Sequence, residues 1–290
     1  MSNLKELRNK VEVVKSTRKV TSSMKLVAGV KLKKAEQKAA ESREYASEVE
    51  LILAKIRQEL SSINCELFFG RKIIQTEMLV VFASDKGLCG NFNYVVCKKT
   101  AEIVADIHRR DRKVRIICIG IKAFDAIGQR LTRNDDIELV EDFYRSDKLL
   151  VNAQKLAQRI IANFTSGNVD RVSTVYTKCL STMNRLVEAR SLIPLDFNLK
   201  ASSRETIFEP NPEAILEAIV PHNIGIQLYQ AALESMASEY GSRMAAMDNA
   251  TRNADDLLSD LTIAYNRTRQ YNITQELVEV VSGAAAIAKG

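Results

Sequence analysis

The chain has 290 residues, about half of them apolar, no Trp, only two His and a net charge of +6. Its five Cys are odd in number and lack a CxxC pair, and His108 and His222 do not stand at ligand spacing, which argues against a disulfide framework or a zinc site. No uninterrupted apolar window reaches ~18 residues, which argues against a membrane-spanning helix.

The first segment reads as helix from residue 3 to 60. Two rows at alternating spacings of three and four are mostly apolar: Leu4, Val11, Arg18, Lys25, Leu32, Ala39, Ala46, Leu53 and Leu60 in one, Leu7, Val14, Thr21, Ala28, Ala35, Ser42, Val49, Ile56 and Ile63 in the other. That is the seam of a coiled coil. Gly29 is its one weak position, costing on the order of 1 kcal/mol against Ala. The first forty residues are strongly basic, with eleven Lys and Arg against three Glu. Such a face suits nucleic acid, an anionic membrane or an acidic protein partner, or is simply solvated. Few aromatic residues interleave it, which weakens a single-stranded nucleic-acid reading. The N-terminus opens directly into helix without a signal-peptide core, so a cytosolic or peripheral location is expected.

Between residues 73 and 200 the period changes. MLVVFAS (78–84) and VRIICIG (114–120) are short continuous apolar runs that read as buried parallel strands. Residues 91–110, 122–131 and 147–165 read as helices. Residues 169–195 read as two strands around a turn near 180–182. The alternation predicts a Rossmann-like α/β domain. Asp135, Asp136, Glu138, Glu141 and Asp142 read as an exposed acidic loop, with metal binding as the alternative. Residues 196–212 read as a connector with a short strand-like TIF at 206–208.

The last segment returns to the heptad. Pro212 suits a first helical turn, and Pro221 is expected to kink or restart the helix. Its rows run Tyr229, Met236, Arg243, Ala250, Leu257, Ala264, Tyr271, Val278, and Leu233, Tyr240, Met247, Ala254, Leu261. Each seam needs a partner, and the nearest is the other one. The predicted fold is therefore α/β: a long antiparallel coiled coil of N-terminal (1–65) and C-terminal (210–290) helices, with a Rossmann-like insert at 73–200. At ~1.5 Å per residue the helices are roughly 85 and 115 Å long. Leu4 then falls near Thr268, and about twenty C-terminal residues protrude without a partner in the chain. That tail is apolar and small (ITQELVEVVSGAAAIAKG), so something else is expected to surround it.

The insert invites an enzyme reading, but its loop SDKGLCGNFN (84–93) lacks the three glycines of GxGxxG and the GxxxxGK of a phosphate loop. It reads as a glycine turn whose helix Asn91 or Asn93 caps. Asp85 and Lys86 read as a charged pair at the strand's C-terminal end, where open sheets bind ligands, but no His or second acid lies close in sequence to make a catalytic site of them. Cys89 reads as a small core residue, with a reactive thiol as the alternative. His108 reads as a surface residue at a basic helix end, and His222 as a surface or packing residue.

Four motifs carry a family resemblance. YNRTRQYNITQELVEVVSGAAAI (265–287) resembles the C-terminal signature of ATP synthase gamma subunits, with Ile273, Thr274, Glu276, Glu279, Gly283 and Ala284 at its core. NLKELRNKVEVVKSTRKVTSSMKLVAGVKLKKA resembles the family's opening. SDKGLCGNFN resembles its insert loop, and RMAAMDNATRNAD (243–255) the middle of its C-terminal helix. Ser282, Asn91 and Gly29 depart mildly from the common pattern.

The resemblance implies a non-catalytic rotor shaft of an F-type ATP synthase, with no cofactor and no metal. It implies alpha and beta subunits around the coiled coil, and an epsilon subunit and membrane c ring at the foot. No nucleic acid is implied, and the membrane is met only through the complex, at the cytoplasmic face of the cell inner membrane. By the same resemblance Arg269 and Gln270 are catch positions toward a beta-subunit loop, with Thr274 and Glu276 a turn further on. Met24, Lys25 and Arg243 face an acidic lever on beta. A structural coiled-coil adaptor for an acidic partner is the alternative.

Overall fold

A computed structural model describes residues 2–59, 66–129, 135–145, 148–179, 185–195 and 212–287. In chain order the elements are α1 (Ser2–Glu59), α2 (Glu66–Phe69), β1 (Thr76–Phe82), α3 (Phe92–Arg109), β2 (Lys113–Ile119), α4 (Ile121–Gly128), β3 (Asp136–Val140), α5 (Leu149–Thr165), β4 (Arg171–Cys179), β5 (Arg185–Ile193) and α6 (Pro212–Ile287). The turn expected at 180–182 and the TIF at 206–208 lie outside the described residues. The chain divides into two compact units, Met1–Ala28 with Met244–Gly290, and Gly29–Arg243.

The first unit is an antiparallel helix pair. Arg18 pairs with Asp255, Thr251 Oγ1 donates to Thr21 Oγ1 at 2.9 Å, and Lys25 Nζ meets Asp248 Oδ1 at 2.6 Å. Each step of three or four residues up α1 is matched by three or four back along α6. Continued, that register sets Leu4 beside Arg269, one residue from the expected Thr268. The inward positions follow the heptad: Leu4, Leu7, Val11, Val14 and Thr21 are half-buried and Ala28 is buried, facing a row that holds Met247, Ala250, Ala254 and Leu261. The row slips once. Leu257 is exposed and Leu258 takes its place, as expected when a 3.6-residue helix follows a 3.5-residue repeat.

The second unit wraps a five-stranded sheet of order β3-β2-β1-β4-β5, parallel except for β5. Helices cover both faces, which is why β1 and β2 are continuous apolar runs. On one face α3 and α4 close a core with Val96, Val104, Ile107, Ala123 and Ile127. On the other, α5, the 39–56 stretch of α1 and the 216–233 stretch of α6 form the larger core. Along α1, Leu32, Ala35, Ala39, Ser42, Ala46, Val49, Leu53 and Ile56 are buried at every heptad position.

Three expectations need correction. The acidic run 135–142 is not a loop: Asp136–Val140 forms the edge strand β3, paired in parallel with β2. Its period-two alternation carries the reason, with Ile137 and Leu139 turned to the α3/α4 core. Asp136 bonds Arg115 Nε at 3.1 Å, and Glu138 bonds Arg159 Nη1 at 2.7 Å. Pro221 sits inside an unbroken α6. The carbonyl its missing N–H leaves free belongs to Glu217, whose exposed turn lets water bond it. Neither Asn91 nor Asn93 supplies a side-chain cap to α3. Asn93 instead bonds back to the end of β1, accepting from Ser84 N at 3.1 Å and donating to Ser84 Oγ at 2.8 Å.

At the C-terminal ends of β1 and β2, where open sheets receive ligands, the chain uses its own groups. Gly120 has φ +111, and a Cβ there would fall 2.4 Å from Ala83 O, so only glycine lets β2 turn beside β1. Asp85 Oδ1 accepts from Ile121 N at 3.3 Å. Arg243 of α6 donates to Lys86 O at 3.2 Å and Gly87 O at 3.1 Å, while its other nitrogen pairs with Glu239. Burial pushes the Glu239 carboxyl upward, and Arg243 opposes that shift. Cys89 is buried and accepts from Asn93 Nδ2 at 3.2 Å. His108, expected at the surface, reaches the buried Asp135 with Nε2 at 2.9 Å.

The opposite end of the sheet turns on Arg71. Its guanidinium donates to Glu66 Oε2 (2.9 Å), Asp170 Oδ1 (3.1 Å) and Phe164 O (2.8 Å), and lies over the Phe164 ring. Asp170 also accepts from Gln75 N and Thr76 N, fixing the entry to β1. Burial alone would raise the Asp170 carboxyl, but the hydrogen bonds from Thr76, Gln75 and Arg71 outweigh it and hold it below 3.8.

Arg71→Ala should lower unfolding free energy by about 2–4 kcal/mol in urea titration, because Asp170 loses its cation while still partly buried. The depressed Asp170 value adds stability above its unfolded value of 3.8 that is lost as pH falls through the lower folded value. Asp170→Asn should therefore destabilise the chain at pH 7, and its deficit should shrink below pH 3.8. Arg243→Ala should release the 86–88 loop and speed tryptic cleavage after Lys86 roughly tenfold, without global unfolding.

Candidate partner-binding surface

The coiled-coil unit presents two kinds of surface outside its own seam. Along α1, Val13, Val20 and Val27 are exposed at a strict seven-residue spacing, with Leu26 beside them. This further row is legible in the sequence as a period-seven repeat, but it lies off the seam that faces α6. Apolar rows of this kind on a charged helix mark a contact surface. The charges around them are partly neutralised within the chain. Lys25 is committed to Asp248, which also receives Arg252 Nη2 at 2.7 Å. Those two cations hold the Asp248 carboxyl below its ordinary value, led by the Lys25 hydrogen bond.

The second surface is the end of α6. From Ile273 to Ala284 every side chain is exposed, including Leu277, Val278, Val280 and Val281, and Ile287 follows at 83% exposure. The register explains why: α1 runs out beside residues 269–271, so the last turns of α6 have no partner helix. A single α-helix bearing this many exposed aliphatic side chains is marginal in water without an apolar environment.

The seven candidate contact residues fall in three groups. Arg269, Gln270, Thr274 and Glu276 are exposed within one stretch of α6, at the point where the pair gives way to the lone helix. Thr274 Oγ1 bonds back to Gln270 O at 2.9 Å, and no ion pair engages Arg269 or Glu276 among the described residues. Met24 and Lys25 are half-buried on α1. Arg243 is turned to the 86–87 loop, as described above, and is largely buried. Geometry thus brings together the four C-terminal residues, and separately Met24 with Lys25. No helix among the described residues is long and apolar enough to cross a membrane, and no cluster of His, Cys, Asp or Glu among them could hold a metal.

Comparison with known proteins gives a consistent result. The profile of a family described as ATP synthase matches residues 3–287. The chain is 38% identical to the ATP synthase gamma chain of Paramagnetospirillum magneticum, over 99% of this chain and all of that one. It is 37% identical to the ATP synthase gamma chain of Azorhizobium caulinodans, with the same coverage. Among solved structures, a chain of the Euglena gracilis mitochondrial ATP synthase (OSCP/F1/c-ring, rotational state 3) shares the fold at TM-score 0.67 and 17% identity, over 99% of this chain and 95% of that one. A chain from the rotor of the same enzyme in rotational state 1 aligns at TM-score 0.62 over 94% of this chain. With full-length matches at this identity, and with an antiparallel helix pair and α/β insert of the same fold, the chain belongs to the ATP synthase gamma chain family.

Proposed function

We propose that the chain is the central rotor shaft of an F-type ATP synthase, a non-catalytic subunit that couples rotation of the membrane c ring to conformational cycling of catalytic beta subunits. The observation that carries this is the exposed apolar end of α6, which extends beyond the last residues of α1. A helix end of that composition needs an apolar sleeve that the chain itself does not supply. An enclosing ring of partner subunits supplies one, and small side chains let the helix turn inside it.

Alpha and beta subunits surround the coiled coil, and the epsilon subunit and c ring meet its foot. The chain meets the membrane only through the complex, peripherally, at the cytoplasmic face of the cell inner membrane. In this reading the working parts are a helix at 1–65, an insert at 73–200 and a helix with its tip at 210–290. Arg269 and Gln270 contact a beta-subunit loop, Thr274 and Glu276 are partner contacts a turn further on, and the exposure of all four supports these roles. Met24, Lys25 and Arg243 lie toward the acidic lever. The Lys25–Asp248 and Arg243–Glu239 pairs mean that both cations are already shared within the chain, and Lys25, the more exposed of the two, is the one that offers its charge to a partner.

Deletion of 269–290 tests the reading. The shortened chain should keep the secondary structure of its insert and should support less coupled ATP synthesis by at least about tenfold, measured in membrane vesicles. Full coupled synthesis without the tail would sink the mechanical role assigned to it.

A further inference from the structure

A shaft transmits torque only if its insert cannot slip against it. Apolar contact holds surfaces together without fixing direction, whereas hydrogen bonds fix register. The face that α6 turns to the sheet is unusually polar for a buried helix. Ser235, Ser238 and Ser242 are each under 5% exposed and spaced by three and four residues, so they share one stripe. Each is bonded to a different strand. Ser235 Oγ donates to Phe82 O of β1 at 3.4 Å, Ser238 Oγ donates to Thr177 O of β4 at 3.1 Å, and Ser242 Oγ accepts from Arg185 Nη1 of β5 at 2.7 Å.

Strand β5 also reaches the other long helix. Arg190 Nη2 donates to Glu50 Oε1 of α1 at 2.6 Å, with both side chains about two-thirds buried or more. One strand therefore grips α6 with Arg185 and α1 with Arg190. Gly241 leaves room for the first grip: a Cβ there would stand 3.1 Å from Arg185 Nη2, so the guanidinium would shift by a few tenths of an ångström. An arginine is suited to this work because its planar fork holds direction, where a lysine is a point charge.

We propose that β5 is the torsional joint of the chain, with Arg185 and Arg190 as positioning residues that lock the sheet to both shaft helices for rotary coupling. The inference rests on the rotor reading above. Strand β5 carries load between the insert and the helices, and the serine stripe sets the register at which it does so. Other arginine pairs on the sheet do not have this role: Arg159 and Glu138 are exposed and join α5 to the far edge strand.

The test uses the whole ATP synthase, purified with the wild-type chain or a variant and reconstituted into vesicles. ATP hydrolysis and ATP-driven proton pumping are measured on the same preparation. For R185A/R190A, hydrolysis should continue while protons pumped per ATP fall at least about twofold. Arg185→Lys should recover part of the loss. Gly241→Ala, which displaces the guanidinium without removing a bonding group, should move the ratio the same way by less. Arg159→Ala should leave it unchanged. A wild-type pumping ratio in an assembled R185A/R190A complex overturns the joint and leaves the rotor reading standing. If that double variant does not assemble, the single variants Arg185→Ala and Arg190→Ala decide, and an unchanged ratio in both overturns the joint equally. Failure of the wild-type chain to assemble into an active ATPase would instead overturn the rotor reading.

Discussion

Packing of small side chains along the two long helices is the constraint on which the rest of the chain depends. Alanines at heptad positions, Ala28 in one unit and Ala35, Ala39 and Ala46 in the other, remove the bulk that would hold the helices apart. Burial of such a stripe follows from the hydrophobic effect, at roughly 25 cal/mol per Å² of apolar surface. Direction comes from elsewhere. Arg18 with Asp255, Thr21 with Thr251 and Lys25 with Asp248 select the antiparallel register in the coiled-coil unit. Once that register is set, the difference in length between α1 and α6 leaves the apolar end of α6 uncovered. The exposed tip is thus a consequence of where the pairing begins.

The same economy of groups appears in the insert. A doubly covered, mostly parallel sheet ordinarily presents free backbone amides at the C-terminal ends of its strands, where a ligand can bind. Here Asn93 bonds Ser84, Asp85 accepts from Ile121 N, and Arg243 takes the carbonyls of Lys86 and Gly87. The polar groups at that edge are directed toward other parts of the same chain. The insert is used as a rigid body attached to two helices, and its buried serines and arginines serve attachment. That division agrees with a shaft whose chemistry takes place in the subunits around it.

Much of this was legible in the sequence because long helices advertise themselves through period. The two heptad rows of α1 predict its buried positions from Ala28 to Ile56, all but Ala54, and β1 and β2 stand out as continuous apolar runs. Other elements were hidden for physical reasons. In β3 the charges of Asp136 and Glu138 masked a period-two strand, since the arginines that neutralise them, Arg115 and Arg159, come from β2 and α5. Pro221 signals a break, and only tertiary packing of the flanking turns keeps α6 continuous. Asn93 fits a cap by position, yet its amide is claimed by Ser84. Among the contact residues, the exposure of Arg269, Gln270, Thr274 and Glu276 follows from the length argument. The pairing of Lys25 with Asp248 and of Arg243 with the carbonyls of Lys86 and Gly87 does not, because a contact over more than 150 residues leaves no local pattern, whereas the Arg243–Glu239 pair stands at the helical i,i+4 spacing.

Rotation of the chain inside an active complex is the most direct test of its role. A fluorescent rod attached through a cysteine placed at the exposed Lys122 of α4 would report it in single complexes held by their outer subunits. A shaft turns the rod continuously in one direction while ATP is hydrolysed, and stops when ATP is withdrawn. A rod that stays fixed during sustained hydrolysis by the same complexes would contradict the account.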